Sequence, residues 1–149
     1  MKYLFLFLIA GVLYACSDDK QAGGHNHNSD SLKAAAMNDT ANYTKIEWID
    51  PIDQDLGRIA KGQMLEISWR FKNAGSRPLV INNVAAGCGC TVAEKPQEPI
   101  APGKEGRISA TFDSKSQHLG VNEKSLTVIA NTQDKTAHYL TFKVDLTEK

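Results

Sequence analysis

No stretch of this 149-residue sequence is apolar over the roughly 20 residues that a bilayer-spanning helix needs; the longest such run, Tyr3 to Leu13, has eleven. Charge of one sign is also missing, with 17 basic residues against 17 acidic ones. That balance argues against nucleic acid as a partner, because binding to phosphate backbones draws on a basic surplus. Cysteine is scarce, at three residues. Catalytic signatures are scarcer still. There is no Gly-x-Ser-x-Gly elbow and no His-Glu-x-x-His zinc helix. Gly57-Arg58-Ile59-Ala60-Lys61-Gly62-Gln63 has P-loop glycine spacing, but Gln63 stands where the phosphate-binding lysine belongs and no helix pattern follows. No nucleophile is paired with a base. The expectation is a protein that is not an enzyme and carries no cofactor.

What is present begins at Met1. Lys2 gives a small positive start, the apolar run follows, and Leu13-Tyr14-Ala15-Cys16 resembles a lipobox, with Tyr14 larger than the usual residue there. This predicts a secretion signal over residues 1–15 and a lipid on Cys16, so that membrane contact is made through the anchor. Removing the signal takes away Lys2 and leaves 16 basic against 17 acidic side chains. Residues 16–42 are polar, small and free of aromatics, which predicts a flexible tether with at most a helical turn at Leu32 to Met37. As a coil it spans about 28 Å. His25 and His27 within it are weak metal candidates, since imidazole suits copper and zinc but two ligands on a loose chain hold little; His118 and His138, expected in a loop and at a strand start, are weak candidates too.

From Tyr43 the pattern changes to a period of two. Met64 to Asn73 places Leu65, Ile67, Trp69 and Phe71 on one face and charged or hydroxyl side chains on the other. Arg107 to Asp113 and Tyr139 to Leu146 repeat the alternation, and Thr44 to Ile49, Leu79 to Val84 and Lys124 to Ala130 read as further strands. Pro102-Gly103 fits a type II turn, proline fixing φ at its second position and glycine accepting positive φ at its third. One all-β domain over 43–149 follows, an immunoglobulin-like antiparallel sandwich of about seven strands.

Phe71-Lys72-Asn73-Ala74-Gly75-Ser76-Arg77-Pro78-Leu79-Val80-Ile81, Cys88-Gly89-Cys90-Thr91, Pro99-Ile100-Ala101-Pro102-Gly103 and Asn131 occur in this order. Together they resemble the domain of unknown function 1573 family, over about Trp48 to Asp145. Ala86-Gly87 stands where that family often has a serine before the first cysteine. The resemblance implies an immunoglobulin-like fold, a lipoprotein of the Bacteroidetes type and no assigned chemistry. In that setting Ser17-Asp18-Asp19-Lys20 is similar to an acidic surface-export signal, although an acidic stretch also simply solvates a tail. Asp30-Ser31-Leu32 and Asp39-Thr40-Ala41 look like O-glycosylation triplets, making Ser31 and Thr40 candidates. The outer membrane is the expected location, with the cell surface and the periplasmic face as alternatives.

Cys88 and Cys90 are the candidates for chemistry. In an extended chain positions i and i+2 lie about 6.6 Å apart, near the upper limit of disulfide geometry. Positive φ at Gly87 and Gly89 would shorten that gap. A structural pair, a redox pair and a soft-metal site for Cu(I) or zinc all fit the spacing. The functional expectation is a cell-envelope lipoprotein that presents a binding or assembly module to a protein or glycan. The alternative is a thiol–disulfide or copper-handling module built on Cys88 and Cys90.

Overall fold

Alternation along the chain becomes two packed sheets in the computed structural model, which describes residues 27–148. Eight strands follow one helix and a short 3-10 turn. The helix α1 is His27–Asn38, and the turn is Thr40–Asn42. The strands are β1 (Ile46–Trp48), β2 (Asp53–Ala60), β3 (Met64–Asn73), β4 (Ile81–Ala86), β5 (Thr91–Glu94), β6 (Glu105–Asp113), β7 (Gly120–Ala130) and β8 (Ala137–Thr147). One sheet has the order β1-β3-β6-β5 and the other β2-β8-β7-β4.

The predicted inward faces are the buried ones. Trp69, Phe71, Ile108, Phe112, Leu126, Leu140 and Val144 are wholly enclosed. The sheets meet through aromatic contacts: Phe112 of β6 stands edge-on to Phe142 of β8 with ring centres 5.3 Å apart, and Trp69 of β3 lies 6.4 Å from the same ring. Such pairs add to the burial of their large apolar areas. Gly106 sits opposite Phe71 in the β3–β6 register. A Cβ there would lie 2.5 Å from the Phe71 ring, so only glycine leaves room for it.

Four features depart from the sequence reading. The sandwich is not purely antiparallel, because β2 runs parallel to β8. Strand β2 escaped prediction because its register shifts between Asp55 and Arg58, around Gly57 at φ +69°, which breaks the period of two. Strand β5 escaped because four residues are too few to show alternation. The expected tether is helical over His27–Asn38. Leu32, Lys33, Ala34, Ala35, Ala36 and Met37 are strong helix formers, and a lack of aromatics does not prevent an alanine-rich helix. The Tyr43 hydroxyl donates to the Met37 carbonyl at 3.2 Å, tying the helix end to the start of the domain.

Irregular backbone at the sheet ends is held by two fully buried asparagines. The Asn73 amide donates to Arg77 O at 2.7 Å and Ile100 O at 2.8 Å, while its oxygen accepts from the Thr44 hydroxyl at 2.9 Å and Gly75 N at 3.1 Å. Asn131 accepts from Val80 N at 2.7 Å and donates to Asn42 O at 2.9 Å and Pro78 O at 3.0 Å. The Pro102-Gly103 turn forms as expected, with Gly103 at φ +76° and Lys104 N donating to Ala101 O at 3.0 Å.

Candidate functional site

Strands β4 and β5 each form an edge of a different sheet. The residues 87–90 carry the chain between these edges, and this crossing holds both cysteines. At its start Gly87 N donates to Ser125 O of β7 at 2.9 Å. A side chain at Gly87 would press on that residue, its Cβ falling 3.1 Å from Ser125 Oγ. At its end Asp113 N of β6 donates to Cys90 O at 3.0 Å, and Thr91 N donates to Cys88 O at 3.4 Å across the bend.

Within this bend Cys88 and Cys90 are joined by a disulfide with their Cα atoms 5.3 Å apart. The separation is shorter than an extended chain would give because the segment turns. Positive φ is not the cause. Neither Gly87 nor Gly89 adopts it; among the described residues Gly57, Gly62, Gly103 and Gly120 do. Both cysteines are half-buried. Cys90 packs against the core cluster on one side. On the other it lines a surface depression with Met64, Gly89, Val92, Thr111, Asp113 and Ser116. The buried Thr91 hydroxyl lies 3.7 Å from Cys88 Sγ and 3.8 Å from Cys90 Sγ. A disulfide sulfur carries no hydrogen, so the hydroxyl is the donor in both contacts.

A second cluster lies where β1, the 132–135 loop and β8 converge, of which the sequence marks His138 alone, as a weak candidate. Trp48, Ile52, Lys135, His138 and Tyr139 line its depression. Tyr139 is 62% exposed and Ile52 39%, whereas His138 is buried. The Thr132 hydroxyl donates to Lys135 O, so the 2.9 Å contact between Thr132 Oγ1 and His138 Nε2 is a donation from the ring. Burial, and next to it the positive charge of Lys135, lowers the His138 pKa from its ordinary value. The Trp48 ring stands edge-on to it at 6.0 Å. The sequence signal was an apolar side chain on the solvent face of β8, where Tyr139 breaks the polar row.

The remaining candidates are scattered. Cys16 and His25 lie outside the described residues. His27 opens α1, Ser31 lies exposed within it, and Thr40 is exposed in the 3-10 turn capped by Asp39. His118 is exposed in the loop before β7, its Nδ1 3.0 Å from Leu119 O. Among the described residues no group of three or more His, Cys, Asp or Glu is placed to hold a metal ion, so the imidazoles are not gathered round the cysteines there. Charged groups pair across neighbouring elements, as Arg58 with Asp145, Arg70 with Asp50 and Lys143 with Asp55, at 2.8–2.9 Å.

Two sheets packed in this way define an immunoglobulin-like β-sandwich. The chain belongs to the DUF1573 family, a family of proteins of unknown function, whose model matches residues 47–146. Among solved structures, a protein of unknown function from Porphyromonas gingivalis W83 is similar at 18% identity and a TM-score of 0.63. The match covers 72% of this chain and 49% of that one, so the chain spans about half its length. The PapD-like domain 7 of human CEP192 matches at 11% identity and a TM-score of 0.52, covering 72% of this chain and 89% of that domain. The secreted serine protease VesC of Vibrio cholerae matches at 14% identity and 0.51, over 78% of this chain and 25% of the protease. At these identities the likeness is one of fold. Comparison with curated proteins gives no match.

Proposed function

We propose that this protein is a cell-envelope lipoprotein, held to the outer membrane by a lipid on Cys16, whose sandwich is a non-catalytic module that binds a partner protein. The observation that carries the binding reading is one depression, lined also by Lys45 and Lys135, where Tyr139 and Ile52 stand exposed beside Trp48. Exposed aromatics next to a concavity are the usual anchors of interfaces. The fold agrees with this role without assigning it. The anchor rests on the sequence of residues 1–16.

Crosslinking in intact cells tests both halves. A recurring protein should be captured by the wild-type chain, and Tyr139→Ala should lower its recovery at unchanged melting temperature. Recovery of glycan instead, or equal recovery by Tyr139→Ala, removes the protein-binding reading of this face. Cys16→Ala should abolish lipid labelling; an acyl mass persisting on that variant overturns the anchor. Added protease then separates the two faces of the membrane, since a surface-displayed chain is cut in intact cells and a periplasmic one is not.

A further inference from the structure

The bend at 87–90 combines features that a purely structural disulfide does not need. One of the two cysteines, Cys90, lines a surface depression, and a buried hydroxyl lies beside both sulfurs. We propose that the Cys88–Cys90 disulfide exchanges with dithiols, the attack falling on Cys90 and the Thr91 hydroxyl stabilising the Cys88 thiolate that is released.

Access selects the sulfur. Cys90 lines the depression beside β5, with open space around Gly89, so an incoming thiolate can approach from that side. Its bond to Cys90 Sγ forms as the Cys90–Cys88 bond breaks, and the electron pair leaves on Cys88 Sγ. The second thiol of the dithiol, deprotonated in its turn, then attacks its own partner sulfur in the mixed disulfide and releases Cys90. The dithiol becomes a disulfide, the protein gains two electrons, and the two protons lost by the dithiol end on Cys88 and Cys90.

Thr91 favours this step because its contact changes strength during it. To a neutral disulfide sulfur at 3.7 Å the hydroxyl contributes little. To a thiolate at the same place the bond is charge-assisted, and roughly twice as strong as a neutral one. An interaction that grows toward the products of bond cleavage speeds that cleavage. Thr91 is buried, so its hydroxyl is held beside the sulfurs rather than turned to solvent.

The depression also sets the class of thiol. Asp113 lines it with a carboxylate, while Met64 and Val92 line it with apolar surface, 69% and 66% exposed. An anionic thiol carrier is therefore disfavoured there relative to a neutral or cationic dithiol flanked by apolar groups.

The test uses the full chain in its native, oxidised state. Incubation with cysteamine, acid quenching and fragment mass spectrometry locate the mixed disulfide; it should lie on Cys90, and a label on Cys88 overturns the assignment. Reduction by dithiothreitol, followed through alkylation, should slow about tenfold in Thr91→Val, the loss of one charge-assisted hydrogen bond. Thr91→Ser keeps the hydroxyl and should keep the rate, which a merely structural role for Thr91 would not predict. Cysteamine should react faster than mercaptoethanesulfonate, and Asp113→Asn should narrow that ratio. This last comparison stands even where Thr91→Val folds poorly. Reduction that occurs only after the protein is unfolded in urea, or equal rates in Thr91→Val and wild type, overturns the proposal.

Discussion

Two irregular stretches of this sandwich are fixed by opposite means. Around Asn73 and Asn131 the backbone is held by amides that are wholly buried and bonded on both their nitrogen and oxygen. Around Cys88 and Cys90 it is held by a covalent bond that is half exposed, with a hydroxyl as its side-chain neighbour. A polar group whose bonding capacity is filled inside the protein has nothing left to offer a ligand. A reachable disulfide does. The same mechanical task, holding loops between sheets, thus leaves one corner closed and the other open to chemistry.

The core beneath both corners sets the upper end of the scale. Trp69→Asp places a carboxylate at a position with no exposure, and should cost about 4 kcal/mol or more, read as a lowered midpoint in urea. An unchanged midpoint would mean that the inner and outer faces of β3 are reversed. Breaking the closed corner should come next. Asn73→Ala leaves the Arg77 carbonyl and the Gly75 amide without a partner and the Ile100 carbonyl with Leu79 N alone, and should lower stability by roughly 2–3 kcal/mol. A loss under about 1 kcal/mol would mean that these groups find other partners, and that the corner is less closed than its hydrogen bonds suggest.

The ease with which each corner can be read from sequence follows the same contrast. Strand β3 was legible to its ends, because its period of two reports burial on one face residue by residue. The cysteines were legible as a pair, since chemistry confined to two residue types survives without a fold. Asn73 and Asn131 are legible as turn residues and as parts of a family pattern, but not as buried clamps. Their partners lie up to 89 positions away, and no local rule brings Asn131 to Asn42. The parallel pairing of β2 with β8 was hidden for the same reason, since it joins Asp53 to Thr141. Helix α1 is legible only as the turn at Leu32 to Met37, because the segment offers little apolar area to bury while its alanines act through helix propensity.

Opening the disulfide corner should cost less than opening the closed one. A ring closed over so few residues removes little entropy from the unfolded chain, so Cys88→Ser/Cys90→Ser should lower stability by about 1–2 kcal/mol. Urea denaturation of the two proteins side by side measures it. A loss matching that of Asn73→Ala would make the bond chiefly a staple, and would erase the distinction between the corners. Tyr139-dependent capture of a partner should survive the double substitution, because Tyr139 belongs to the depression around Trp48 and His138 and the sulfurs belong to another.

The smallest effect expected is that of His138, a third way of holding a loop, through a buried ring that can still titrate. Its Nε2 hydrogen is donated to Thr132, which in turn holds the Lys135 carbonyl, so the neutral ring serves the 132–135 loop. Burial, seconded by the Lys135 charge and opposed by Asp134, places its folded pKa below the ordinary value near 6.5. The sign follows from proton counting. Above about pH 6.5 the ring is neutral in both states and its contribution to stability is complete. As the pH falls through that value the unfolded chain takes up a proton that the folded protein refuses, and stability declines until the folded ring also protonates. Carboxylates such as Asp50, lowered mainly by its hydrogen bonds from Arg70, act in a more acidic window and do not overlap. Because burial is the larger cause, added salt should leave most of this slope in place, whereas a slope due to the exposed Lys135 charge would be screened. Urea midpoints between pH 5 and 7.5 should therefore fall toward acid in wild type and flatten in His138→Gln. An equal slope in both proteins would mean that the ring is open to solvent, and that the corner around Trp48 is as accessible as the one that holds the disulfide.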